Sequence, residues 1–161
     1  MDIETFALTP RDWVPNNATL PVVLYRGVMP TGACEAVAGA FEDLFDRHGW
    51  PPQWRDGIYD YHHYHSTAHE VLGVASGWAR LTIGGPGGRE IEVTTGDAIL
   101  LPAGTGHCCV EAGEDFLVVG AYPMGQDWDI CRAAPDAQAL HRIASLPLPA
   151  LDPVLGTKNP A

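Results

Sequence analysis

Positive charge is scarce in this chain. Nine Lys and Arg stand against twenty Asp and Glu, a formal charge of -11, which repels a phosphate backbone and leaves no basic stripe for nucleic acid. Long apolar runs are missing too. No segment approaches the ~20 apolar residues of a membrane helix, and the opening text MDIETFALTPRDW has neither the basic flank nor the apolar run of a secretory signal. The expectation is a cytoplasmic protein with neither a nucleic-acid nor a membrane partner. Cysteine is sparse and irregular: Cys34, Cys108, Cys109 and Cys131 form no CxxC pair and no even framework, so reduced thiols are expected. Internal repeats and low-complexity tracts are absent.

What is present describes a folded unit. The 161 residues are 46% apolar, enough for a single domain with a buried core and too apolar for a disordered chain. The run from Pro21 to Tyr25 reads as a strand added to a sheet edge. Val37, Phe41, Leu44, Phe45 and His48 then make one helical stripe, stopped by Gly49 and Pro51. After Tyr59 the pattern changes to short strands: Trp78 to Ile83 and Glu90 to Val93 about a glycine turn, then Ala98 to Leu101, His107 to Glu111 and Phe116 to Tyr122. A second helix is expected from about Asp136, whose side chain caps it, to Ser145, before Pro147. The last sixteen residues read as a tail that either wraps its own barrel or reaches a second subunit. The fold class expected is all-β, a double-sheet jelly-roll barrel with one helix before and one after it.

Within this pattern, Gly57, His63, His65, Glu70 and Gly77 are followed by Gly96, Pro102, Gly104 and His107. Residues two apart on a strand share a face, so His63 and His65 can enter one cavity while His62 and Tyr64 face away. Glu70 would open the next strand after the Ser66-Thr67-Ala68 connection, and His107 a later one. Three neutral imidazoles and one carboxylate suit one divalent ion among Fe, Mn, Ni, Zn and Cu, and leave positions open for water or substrate. The metal ligands expected are therefore His63, His65, Glu70 and His107. A shift of register by one residue would put His69 in place of Glu70.

These nine positions, in two blocks over about residues 55 to 122, resemble the two signature motifs of the cupin superfamily. The spacing from Glu70 to Gly77 matches that pattern and favours Glu70 over His69. The segment GQDWD, the text around the histidines and the helix before them are similar to the small bacterial cupins called YjlB-like. The resemblance implies a single cupin domain over 1-161, with a barrel core near 55-122, an N-terminal strand and helix over 20-49 and a C-terminal helix and tail over 130-161. It also suggests a homodimer, for which the strand at Pro21 to Tyr25 offers the edge. One position departs: Glu111 stands where the family's second motif usually carries Asn.

The period of two places further residues beside the expected metal: Cys109 and Glu111 after His107, and Tyr61, with Tyr59, before His63. Tyr61, Cys109 and Glu111 are the cavity candidates, Glu111 or Tyr61 as acid or base, Glu111 equally as a partner that orients a ligand His or as a rim residue in solvent, and Cys109 also as a plain apolar filler. Arg80 and Arg89 are the candidate sources of local positive charge at the mouth. Trp54, Trp78 and Trp128 offer a weak platform for flat substrates, more simply read as core. Because this fold hosts many activities, function must come from the site. The expected function is a metal-dependent enzyme of the dioxygenase or isomerase and lyase type acting on a small molecule; the alternative is a non-catalytic, metal-dependent barrel that binds or senses a small ligand.

Overall fold

The computed structural model describes residues 1–158. Nine strands and two helices follow in the order β1 (Asp2–Phe6), β2 (Val22–Arg26), α1 (Cys34–Arg47), β3 (Pro52–Asp56), β4 (Glu70–Ser76), β5 (Trp78–Ile83), β6 (Arg89–Thr94), β7 (Ala98–Leu101), β8 (His107–Ala112), β9 (Leu117–Ala121) and α2 (Ala137–Ser145). A six-stranded sheet ordered β1-β2-β7-β4-β9-β3 faces a three-stranded sheet ordered β6-β5-β8, and the pairings within both are antiparallel. This is the expected jelly roll with flanking helices.

Strand β4 is apolar on both faces because both are covered. Val71 and Ala75 face α1 in a core with Phe41, Phe45, Val119 and Leu100. Leu72 and Val74 face the other sheet, packed with Leu24, Leu81, Ile83 and Ile99. Alternation then carries Glu70 to the same inner side as Leu72. The helix lies close over this strand because Gly73 has no side chain: a Cβ there would come within 2.5 Å of the Phe41 ring.

Several expectations change. The strand at Val22–Arg26 is not an edge, since β1 pairs along its whole length and β7 flanks it on the other side. An acidic pentapeptide, exposed on nearly every residue, gives no alternation that would announce β1. Strand β3 was hidden by its leading prolines. His63 and His65 do not stand on a regular strand either; single bridges tie His63 to His107 and Tyr64 to Cys131. The tail, as far as Lys158, wraps its own barrel. Asp152 is buried against Tyr25, whose hydroxyl donates to it at 2.6 Å, and it accepts the Val154 and Leu155 amides. Val154 joins the helix-side core. Residues 159 to 161 of the expected tail lie outside the described residues.

Candidate metal centre

The donors converge from four points of the chain. His63 and His107 exchange both backbone hydrogen bonds, at 3.2 and 2.9 Å, and this bridge sets their rings side by side with centroids 4.0 Å apart. His65 is fixed when its carbonyl accepts the Gly104 amide at 2.7 Å. Glu70 opens β4 in the six-stranded sheet and His107 opens β8 in the three-stranded one, so the cluster spans the two sheets at one end. One ligand atom from each of His63, His65 and His107 lies within 4.8 Å of the other two. The Glu70 carboxylate oxygens stand 3.3 Å from the His65 Nε2 and 3.3 Å from the His107 Nε2. All four side chains are buried.

The outer nitrogens fix the chemistry of the inner ones. His63 Nδ1 lies 3.0 Å from the Tyr61 carbonyl and His107 Nδ1 3.0 Å from the Thr105 carbonyl. His65 Nδ1 meets the Asp129 carbonyl. A carbonyl only accepts, so each Nδ1 carries a proton and each ring turns its Nε2 toward the others. Asp129 itself is held by Ser66, whose amide donates to its carboxylate at 2.6 Å and whose hydroxyl donates as well.

Lone pairs gathered round a carboxylate repel one another unless a positive charge lies among them. Among the described residues, four buried side-chain polar atoms lack a hydrogen-bond partner, and two of these, His65 Nε2 and Glu70 Oε1, belong to this cluster. Burial opposes charge on His65, yet the Glu70 carboxylate outweighs it and pushes that imidazole up. Burial likewise opposes the Glu70 charge, but His65 and His107 hold its carboxyl well below the usual range. His63 is driven down to about 3, by burial first and then by the neighbouring His107. Three imidazoles that turn their Nε2 atoms inward, with one ionised carboxylate, are a donor set that fits a divalent cation.

Behind Glu70 stands Tyr122, immediately after β9. Its hydroxyl donates to Glu70 Oε2 at 2.6 Å and accepts from Trp54 Nε1 at 3.0 Å. Burial, then the carboxylate, pushes that phenol up. Trp54 reaches it because its indole lies flat over Gly120, where any Cβ would approach within 2.3 Å. Trp128 stacks on the Tyr122 ring at 4.6 Å and 7°. These rings wall a cavity of about 360 Å³ that contains the histidines and Glu70.

The other expected residues fall elsewhere. His69 turns away from the cluster, its Nδ1 accepting the Ala103 amide at 2.9 Å and its Nε2 near the Leu146 carbonyl. Tyr61, Cys109 and Glu111 do not line the cavity, whereas Tyr59 does. Cys109 is packed in the core between the sheets. A bulge opposite Arg80 and Leu81 interrupts β8 between Cys109 and Glu111, and Glu111 meets Arg80 at 3.1 Å with half its side chain in solvent. Tyr61 stacks on Tyr59 and carries Arg132 over its ring. Arg80 is thus bound to Glu111 and Arg89 lies over Phe6, and neither reaches the mouth. Trp54 and Trp128 line the cavity while Trp78 does not. The structural role of Tyr122 was not read from the sequence, although it ends the last apolar strand; that of Asp129 was not read either, although it lies in GQDWD.

The chain is similar to several known proteins. The family described as "Cupin domain" matches residues 51–119. "Uncharacterized protein YjlB" of Bacillus subtilis (strain 168) is 36% identical over 149 residues, covering 91% of this chain and 87% of that protein. Among solved structures, "Acireductone dioxygenase from Bacillus anthracis with cadmium ion in active center" matches at 18% identity and a TM-score of 0.41, over 61% of this chain and 65% of that one.

Proposed function

The chain belongs to the cupin family, and from that premise we propose that His63, His65, Glu70 and His107 hold one divalent metal ion and that the protein is an enzyme acting on a small molecule bound beside it. The observation that carries the reading is the pairing of committed Nδ1 atoms with buried inner atoms, His65 Nε2 and Glu70 Oε1, that face one another's groups without a hydrogen bond. A bound ion would supply Lewis-acid polarisation of a substrate oxygen or, if iron, redox chemistry of the dioxygenase type. The protein's own residues orient and enclose. Tyr122 fixes the Glu70 carboxylate, the backbone carbonyls hold the imidazoles in one tautomer, and the aromatic walls keep bulk water from the inner end of the cavity.

One observation favours the second reading, a metal-dependent barrel that binds a small ligand without turning it over. None of the three acid, base or thiol candidates, Tyr61, Cys109 and Glu111, lines the cavity. Proton transfer would fall to Tyr59 or to Asp56, both on the lining and both exposed at its rim. The proposed setting is the cytoplasm and the proposed assembly a homodimer, for which sedimentation is the measurement.

Two experiments test the reading. Elemental analysis of protein purified without chelator should find metal in the wild type and little in His63→Ala/His107→Ala; equal content in both would remove the proposed ligands. Oxygen uptake and product formation by the iron-loaded form over small thiols, catechols, diketones and sugars then decide between turnover and binding. Substrate change without oxygen uptake assigns an isomerase or lyase.

A further inference from the structure

Three exposed large apolar side chains meet at this one opening. Tyr59, Trp128 and Ile130 are 49%, 40% and 43% exposed, and all three line the same cavity with Trp54, Ile58 and Leu72. Uncovered apolar side chains gathered in one concavity mark a binding wall rather than incidental surface. The lining holds no Lys and no Arg, and beyond the metal-site donors its charged side chain is Asp56. Of the arginines, Arg55 pairs with Glu42 and Glu35, Arg26 with Asp97 and Arg80 with Glu111, while Arg132 lies over the Tyr61 ring.

From this geometry we infer that the cavity selects an uncharged, flat, largely apolar molecule, held at one end by the metal and packed at the other against Trp128. The inference rests on the metal reading for the inner end only. A carboxylate, phosphate or sulfonate directed at the outer wall would lose its hydration and find an apolar surface with Asp56 at the rim and no cation to replace the water. A planar ring gains there, because the wall is already ordered: Trp128 and Tyr122 lie nearly parallel at 7°, and the Tyr122 hydroxyl is pinned between Glu70 and Trp54. The volume of about 360 Å³ suits a molecule of one or two rings.

The test is a pair of catechols that offer the same metal-binding diol and differ at the ring position that would meet the outer wall: 4-methylcatechol and catechol-4-sulfonate, the sulfonate being a poor metal ligand. Binding is measured by calorimetry on the anaerobic zinc-loaded protein, and repeated on the metal-free protein. The methyl compound is expected to bind about tenfold or more tightly than the sulfonate. In Trp128→Ala its affinity should fall roughly 2- to 10-fold, the worth of one aromatic contact, with the zinc content unchanged. Sulfonate binding as tight as or tighter than methyl, or a Trp128→Ala protein that binds 4-methylcatechol like wild type, overturns the inference. Failure of the metal reading has a different signature: affinity for both compounds would not rise on adding zinc, while the preference between them would still be readable.

Discussion

Replacing Tyr122 by Phe removes one oxygen and leaves the ring that stacks on Trp128. That oxygen donates to Glu70 Oε2 at 2.6 Å, fixing the carboxylate while Oε1 points toward His107. Loss of such a partner behind a ligand typically lowers metal affinity about 10- to 100-fold. At a fixed, saturating metal concentration that removes about 1.4 to 2.7 kcal/mol of the stabilisation that binding confers. For a chain of this length each kcal/mol moves the midpoint by about 2–4 °C, so the rise in Tm on adding zinc should be smaller in the variant by roughly 3 to 11 °C. Trp54 Nε1 also loses its acceptor, but in both the loaded and the metal-free protein. Comparing the zinc-induced rise within each protein therefore cancels that loss. The assay is calorimetric melting of wild type and Tyr122→Phe with and without zinc. Equal rises in the two proteins would refute the claim that Tyr122 acts through Glu70 on the metal.

Three further outcomes test the fold. Gly73→Ala drives a methyl to 2.5 Å from Phe41 and should cost about 1–3 kcal/mol in urea unfolding; the cost should shrink in a Phe41→Leu background, and full additivity would argue against a clash. Asp152→Ala takes a buried acceptor from Tyr25 and two amides, so limited proteolysis should cut near residue 150 faster than in wild type, and unchanged cutting would contradict the docking of the tail. Burial, then the bond to Asp152, raises the Tyr25 phenol. Its contribution is therefore complete below the unfolded tyrosine value of about 10 and declines as pH rises beyond it. Stability measured from neutral to strongly alkaline pH should fall less steeply above about 10 in Tyr25→Phe than in wild type, and identical slopes would sink the assignment.

Where sequence reading succeeded, the local signal and the tertiary environment agreed. The α1 stripe, the glycine turn between β5 and β6, and the Asp136 cap, which accepts the Ala139 amide, are fixed by near neighbours along the chain. The convergence of His63, His65, Glu70 and His107 was legible because each lies at a defined offset from glycines and a proline. The reading of what surrounds them was less secure because it extended strict alternation through segments that do not keep it. Irregular backbone before His63 brings Tyr59 rather than Tyr61 onto the lining, and the β8 bulge sends Glu111 to Arg80. Asp129 reaches the site from beyond β9 by holding Ser66, 63 residues away in sequence, which no short window can show, and Trp128 reaches it through its stack on Tyr122. Strand β1 was invisible because its pairing partner, not its own composition, makes it a strand.

Glu70 and His107 open strands of opposite sheets and stand 3.3 Å apart, so a cation held by both would join the layers at this end through charge rather than hydrocarbon. Hydrocarbon contacts tolerate sliding, whereas donors aimed at a common point do not. The sandwich is hinged on its apolar interior and latched at the rim, so whatever unfastens the latch lets the two layers part there first, and amides on either side of it should exchange with solvent together.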